Sequence, residues 1–190
     1  MGFGTTETAG NTKRSGTRRR LARPVVRFWL ALGILAGITN AALAMDWATY
    51  RNSAYGFSVD YPTQLFASQT FSTNGDGTTL YGLAGWIEFR AYAFNNGDEL
   101  ALETIVDITL EGATNTDATY RRVSDDFAVL SGTVTDGQKG ERVFYRRFQP
   151  SSDLSRVAVF ELFYPVRKRA QIDPLLARIG TSLTAPKNLN

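Results

Sequence analysis

The sequence contains neither cysteine nor histidine among its 190 residues. Without cysteine the chain has no disulfide, no thiolate metal ligand, no thiol nucleophile and no cysteine-linked lipid anchor. Without histidine it lacks the side chain that most often acts as a general base near neutral pH. Together the two absences exclude serine–histidine–aspartate triads and histidine-ligated zinc or iron sites.

The sequence motifs of several enzyme classes are also missing. The chain has no G-x-S-x-G, no S-x-x-K, no phosphate-binding loop and no dinucleotide fingerprint. A carboxylate pair for glycoside hydrolysis could be drawn from Asp60, Glu88, Asp107 and Glu161, but their spacing selects no pair. We therefore predict no catalytic residues and no cofactor, with a carboxylate-based secreted hydrolase as an alternative.

The positive charge of the chain is concentrated in its first 44 residues. The whole sequence holds 21 basic and 18 acidic side chains. Seven of the basic side chains and one acid lie in residues 1–44, which leaves 14 basic and 17 acidic side chains in the remainder. That remainder carries a net negative charge, so the basic pI gives no support for nucleic-acid binding.

Residues 1–44 have the parts of a secretory signal peptide. A small, polar stretch that we expect to be disordered is followed by an arginine triplet. The next part is an apolar run over residues 28–38, which is shorter than the ~20 residues of a membrane span. Ala42 and Ala44 then form an A-x-A site, which predicts cleavage before Met45. We expect a periplasmic or secreted protein that meets the membrane only during export.

The remaining residues alternate apolar strands with turns and contain two helical patterns. Asp98 is the predicted N-cap of a helix over residues 99–111, and Asp173-Pro174 predicts the start of a second helix. The predicted strands span residues 46–51, 57–61, 78–83, 86–94, 120–123, 127–134, 141–148 and 156–164. This order predicts one α+β domain over residues 45–190, in which two helices pack on an antiparallel sheet of about six to eight strands.

The stretch Tyr50–Pro62, YRNSAYGFSVDYP, predicts a hairpin and carries a family resemblance. It resembles the start of PsbP-like domains, which are α/β/α sandwiches. Together with the later NGDG and a final aliphatic strand that ends in Tyr-Pro, it is similar to a group of exported bacterial proteins. The resemblance implies the sandwich fold for the exported part, but it transfers no functional residue to this chain.

One loop can be aligned with a calcium-binding loop. Ser72, Asn74 and Asp76 take the first, third and fifth ligand positions, with Gly77 at the sharp turn. The last ligand position falls on Leu83, where a glutamate is required. A plain turn is the alternative, and the sequence favours it.

Basic side chains are frequent in the C-terminal half of the chain, where they include Arg121, Arg122, Arg142, Arg146, Arg147, Arg156, Arg167, Lys168 and Arg169. Neighbouring strands of a meander could bring together five of them, Arg121, Arg142, Arg146, Arg147 and Arg156, beside Tyr145 and Phe148. Such a patch suits an anionic ligand, a lipid head group or an acidic partner. The alternative is a solvated sheet face, with ion pairs to Asp125, Asp126 and Glu141.

The sequence as a whole favours a monomeric, exported domain without catalysis. We expect it to bind an envelope or secreted protein or to assist an envelope assembly. The alternatives are the hydrolase and a module that senses an anion or another ligand through arginine-rich strands.

The leader gives a direct test. We expect the protein that accumulates in the native cell envelope to begin at Met45, because the A-x-A site directs cleavage there. N-terminal sequencing and intact mass measure this. A mature chain that retains residues 28–38 would contradict the prediction.

Overall fold

The computed structural model describes residues 45–188, which form nine β-strands and two α-helices. The strands are β1 Trp47–Asn52, β2 Phe57–Pro62, β3 Ser68–Phe71, β4 Gly77–Gly82, β5 Ile87–Asn95, β6 Thr116–Val123, β7 Ala128–Asp136, β8 Gly140–Pro150 and β9 Arg156–Pro165. The helices are α1 Leu102–Glu111 and α2 Arg169–Ser182. Strands β1 and β2 pair as a separate hairpin, and the other seven form one antiparallel sheet in the order β3-β4-β5-β9-β8-β7-β6.

The seven-stranded sheet is covered on both faces. On one face, strand residues such as Phe89 and Phe160 pack with α2 and with the β1–β2 hairpin. On the opposite face, residues such as Leu130 and Val159 pack with Leu102 and Val106 of α1. The alternation of side chains along each strand separates the two cores. The predicted α+β sandwich with two packed helices is therefore confirmed.

Strand β9 is the middle strand of the seven, as its apolar sequence predicts. Its residues from Val157 to Leu162 are all buried, including Glu161. A strand that is buried on both faces reads as a continuous apolar run, so a glutamate within it needs partners from neighbouring strands.

The β1–β2 hairpin has the turn that its sequence predicts. Asn52 Oδ1 accepts a hydrogen bond from the Tyr55 amide at 2.8 Å, and Gly56 takes the left-handed backbone conformation with φ 73°. The segment after α2 lies along β2, where the Thr184 amide donates to Ser58 O at 2.9 Å. The segment continues to Lys187, whose amide donates to Tyr55 O at 2.8 Å.

The predicted starts of both helices are wrong. Helix α1 begins at Leu102, three residues late, because the Asn96 side chain bonds both backbone groups of Leu100 and holds that connection out of the helix. Helix α2 begins at Arg169, so Pro174 lies inside it. Asp173 does not cap the helix but accepts a hydrogen bond from Tyr164 Oη at 2.7 Å.

Two parts of the sheet were not expected from the sequence. Strand β3 is a short, fully exposed edge strand without the alternation of apolar and polar residues that marks half-buried strands. Strand β6 begins at Thr116, four residues before the strand predicted over residues 120–123, and it contains a bulge between Ala118 and Tyr120. Edge strands have one solvated side, so their sequences are more polar.

The predicted signal peptide, including Ala42 and Ala44, lies outside the described residues, and Met45 is the first described residue. Within residues 45–188, no helix has both the length and the apolar character needed to cross a membrane.

The close approach of Gly82 to a neighbouring turn gives a test of the packing. A Cβ atom at Gly82 would lie 1.7 Å from Leu65 O, so we expect Gly82→Ala to lower the free energy of unfolding by about 2–3 kcal/mol. Gly97→Ala is the matched control, because no atom lies within 4 Å of its Cβ position. Urea denaturation of both variants measures the difference, and equal midpoints would contradict it.

Candidate functional site

Two groups of charged side chains lie on opposite faces of the sheet and differ in how they are paired. The first group, which we call the buried ion-pair network, lies on the α1 face and consists of Glu88, Glu161, Arg90, Arg142 and Arg146. Glu88 and Glu161 are only 4% and 3% exposed. Because an unpaired buried carboxylate is costly, these two side chains depend on the surrounding arginines.

The arginines of the buried ion-pair network come from strands on both sides of β9. Arg90 on β5 donates from Nε to Glu88 Oε1 at 2.6 Å, and its Nη1 lies 3.7 Å from Glu161 Oε2. Arg146 Nε on β8 lies 2.5 Å from Glu161 Oε1, although the angle does not suit a hydrogen bond. Arg142 Nη1 lies 3.6 Å from Glu88 Oε2.

Aromatic side chains complete this network. The Tyr92 hydroxyl donates to Glu161 Oε1 at 3.1 Å. Burial raises the pKa of Tyr92, and the neighbouring Glu161 charge raises it further, so the phenol keeps its proton and remains a donor. The Phe163 ring lies between Arg90 and Arg142, whose Cζ atoms are 5.4 and 5.2 Å from the ring centroid. The network thus joins β5, β9 and β8 through pairs of opposite charges.

The network also contains two of the four acids from which a hydrolytic pair could be drawn. Glu88 and Glu161 are brought together, but each is already bound by guanidinium groups. Asp60 lies elsewhere and accepts a hydrogen bond from Thr49 at 2.7 Å, and Asp107 on α1 pairs with Arg121 of β6 at 2.9 Å. A carboxylate held by an arginine is a poor general base, because the positive charge stabilises its ionised form.

The candidate calcium residues Ser72, Asn74 and Asp76 lie in the turn between β3 and β4. Ser72 Oγ donates to Gly77 O at 3.1 Å and accepts from the Gly77 amide at 2.8 Å. Asn74 turns its amide group toward Asp76, with Nδ2 2.7 Å from Oδ2. These contacts close the turn itself. Within residues 45–188, no group of three or more acidic side chains is close enough together to hold a metal ion.

The five arginines expected to form one patch do not converge. Arg142 and Arg146 belong to the buried ion-pair network, and Arg121 faces α1, where it pairs with Glu103 and Asp107. Arg156 stacks on the Tyr55 ring, with its Cζ 5.2 Å from the centroid. Arg147 alternates with Arg146 along β8 and so points to the α2 face. The alternation of a strand separates residues that are adjacent in sequence.

The second group, which we call the arginine–aromatic surface, lies on the α2 face of β6, β7 and β8. It consists of Arg122, Arg147, Phe127, Tyr120 and Tyr145. Arg122 and Arg147 both lie opposite Val129 of β7, which stands between them. Tyr120 and Tyr145 flank Ser131 in the same way, two residues along the strands. The surface therefore has a row of two arginines beside a row of two tyrosines.

Both arginines of this surface stack on one ring. Arg147 Cζ is 4.1 Å from the centroid of Phe127, and Arg122 Cζ is 5.1 Å from the same centroid. Within residues 45–188, neither guanidinium has a carboxylate within ion-pairing distance, in contrast to Arg121, Arg142 and Arg146. Burial lowers the pKa of Arg147, and the charge of Arg122 lowers it further. These two positive charges lie together without a counter-charge.

Helix α2 borders the arginine–aromatic surface without covering all of it. A Cβ at Gly180 of α2 would lie 3.5 Å from Tyr145 Oη and 3.7 Å from Arg147 Cδ, so these two side chains lie at the edge of the helix. Beyond them Tyr120 is 50% exposed and Arg122 is also exposed. The outer part of this sheet face is therefore open to solvent.

A cleft of about 770 Å³ opens at the N-terminal end of α1, next to the turn between β6 and β7. Its charged side chains, Glu103, Asp125 and Asp126, are all acidic. The cleft therefore differs in sign from the arginine–aromatic surface and does not extend it.

The sequence indicated Arg147 for a binding patch but did not single out Arg122 or Phe127. Arg122 follows Arg121 directly in the sequence, but the two side chains lie on opposite faces of the sheet. Arg121 pairs with an acid of α1, whereas Arg122 stacks on Phe127. The sequence predicted Phe127 as the first residue of a strand, whereas in the structure it lies just before β7. Predicting this group of side chains would have required the register of β6, β7 and β8, which places Arg122 and Arg147 on either side of Val129.

Comparison with solved structures identifies the fold. The solution structure of cyanobacterial PsbP (CyanoP) from Synechocystis sp. PCC 6803 is similar, with a TM-score of 0.55, 12% identity, and coverage of 74% of this chain and 93% of that chain. The Saccharomyces cerevisiae Ran-binding protein Mog1p matches with a TM-score of 0.50, 10% identity, and coverage of 74% and 96%. No protein-family model and no curated protein sequence matches this chain. At these identities the likeness shows a PsbP-like fold.

The buried ion-pair network gives a test of pairing. We expect Glu161→Gln to lower the free energy of unfolding by about 2–3 kcal/mol, because it leaves the half-buried Arg146 without its counter-charge. Glu103→Gln is the control, because its ion pair with Arg121 is exposed and should contribute about 0–1 kcal/mol. Urea denaturation measures both, and similar losses in the two variants would contradict the assignment.

Proposed function

We propose that this protein is an exported, non-catalytic domain that binds another protein through the arginine–aromatic surface. The observation that carries the proposal is the unpaired state of Arg122 and Arg147 on the open part of the sheet face. Most other strand arginines on the sheet are bound by carboxylates. Guanidinium groups and aromatic rings are the side chains most enriched at protein interfaces.

The composition of the chain and the solved structures support binding rather than catalysis. The chain has no histidine or cysteine, and its two clustered glutamates are held by arginines. One structurally similar protein, Mog1p, is described as Ran-binding, which is consistent with a binding role for this fold. Fold likeness alone does not transfer a partner, so the proposal depends on the surface.

Export is supported by the sequence of the leader. Its arginine triplet, apolar run and A-x-A site follow the order of a secretory signal peptide. The absence of cysteine suits a domain that has to fold in either a reducing or an oxidising compartment. The partner would then be an envelope or secreted protein.

Site-specific crosslinking tests the proposed surface. A photoreactive phenylalanine analogue replaces Tyr120 in the full-length chain, which is expressed in its native host and irradiated in intact cells. Because Tyr120 is half exposed at the centre of β6, we expect one crosslinked protein above background at this position.

The matched control is the same analogue at Phe71, which is 68% exposed on β3 at the opposite edge of the sheet. We expect no specific adduct there. Equal crosslinking at both positions would contradict the surface assignment, and the absence of any adduct at residue 120 would contradict the binding proposal.

A further inference from the structure

Arg122 and Arg147 lie together beside one aromatic ring, and each lacks a counter-charge within residues 45–188. Deepening the proposed function, on which this inference rests, we propose that the arginine–aromatic surface binds an acidic, extended segment of a partner protein. Its carboxylates pair with Arg122 and Arg147, and an aromatic or apolar side chain two residues away packs on Tyr120.

The arginines are positioned before any ligand arrives. A guanidinium that lies over a ring is held by cation–π attraction and keeps its N–H donors for other partners. Arg147 hydrogen-bonds the Tyr145 side chain, and its Nη2 reaches Gln149 Oε1 at 3.4 Å, but its Nε has no hydrogen-bond partner within residues 45–188. Arg122 makes no hydrogen bond within the described part of the chain and contacts the Phe127 ring. Donors that are already fixed and not occupied lose little entropy on binding.

The electrostatics of the pair favour an anionic ligand. Two like charges beside one ring repel each other, and the lowered pKa of Arg147 reflects both its burial and the neighbouring Arg122 charge. A carboxylate between the two guanidinium groups would remove the repulsion and accept charge-assisted hydrogen bonds from both. The acidic cleft at the end of α1 does not supply this charge in the structure, because Glu103 pairs with Arg121 and neither Asp125 nor Asp126 lies within ion-pairing distance of Arg122 or Arg147.

The order of the two rows favours a peptide over a lipid headgroup or free phosphate. The arginine row and the tyrosine row are two residues apart along β6 and β8, or about 7 Å. In an extended peptide, alternate side chains on one face have the same spacing. Within residues 45–188, the other exposed large hydrophobic residues are Phe71, Leu83, Ile108 and Val166, and none lies on this surface. It therefore lacks the apolar side chains with which a peripheral protein enters a bilayer.

Fluorescence anisotropy with defined peptides tests the inference. The protein is purified in the form that the cell accumulates, and the probe is a fluorescein-labelled octapeptide of sequence ESYSESYS, which places glutamate and tyrosine two residues apart on one face of the extended chain. The matched peptide replaces each glutamate with lysine. We expect saturable binding of the glutamate peptide that weakens with added salt, and no binding of the lysine peptide.

Two variants and a control locate the binding site. Arg122→Gln and Arg147→Gln should each weaken binding of the glutamate peptide about tenfold or more, because each removes a charge-assisted contact. Arg51→Gln, an exposed arginine on β1, should leave binding unchanged. Thermal unfolding of each variant confirms that it is folded, and Arg122 is the safer position because it is exposed. Unchanged binding in both glutamine variants would overturn the inference.

Other anions distinguish the alternatives. Tighter retention by phosphatidylserine vesicles than by the glutamate peptide, or displacement of the peptide by a similar concentration of inorganic phosphate, would overturn the choice of an acidic peptide. If the variants lose peptide binding but residue 120 gives no crosslink in cells, the inference holds and the proposed function fails. If the crosslink forms equally well in Arg122→Gln, the proposed function holds and the inference fails.

Discussion

The burial of Glu161 in the middle strand imposes a constraint on the rest of the sheet. A carboxylate in a strand covered on both faces needs positive partners, and the strands on either side of β9 provide them. Arg90 of β5 and Arg146 of β8 fill that role. A shift of one residue in either pairing would turn its arginine to the opposite face, so the ion pairs oppose register errors in the centre of the sheet.

The same reasoning separates arginines that stabilise from arginines that are available to bind. Arg146 and Arg147 are adjacent in sequence, yet one neutralises a buried carboxylate and the other stacks on an aromatic ring at the open face. Arg121 and Arg122 repeat the contrast on β6. In both pairs the residue on the α1 face is paired with an acid, and the residue on the α2 face is not. The unpaired arginines of these two strands, Arg122 and Arg147, therefore both lie on the α2 face of the sheet.

The sequence predicted the features that depend on local patterns and missed those that depend on strand pairing. The apolar run of β9, its central place and the β1–β2 turn follow from alternation and turn chemistry, which a single sequence contains. Edge strand β3 has no such pattern, and the start of α1 depends on Asn96, whose partner Leu154 is remote in sequence. The grouping of Arg122 with Arg147 depends on register across three strands, which periodicity alone does not supply.

The bonds between β2 and the segment that follows α2 bear on the order of folding. Ser58 and Thr184 are 126 positions apart, yet both backbone and side-chain groups join them. Until residues 182–187 have been synthesised and have reached β2, the outer edge of this strand lacks these hydrogen-bond partners. The β1–β2 hairpin itself can form earlier. Such contacts raise the contact order of the domain and slow its folding. The edge of the first hairpin is therefore closed late, when the segment after α2 reaches it, and until then that edge can pair with other strands.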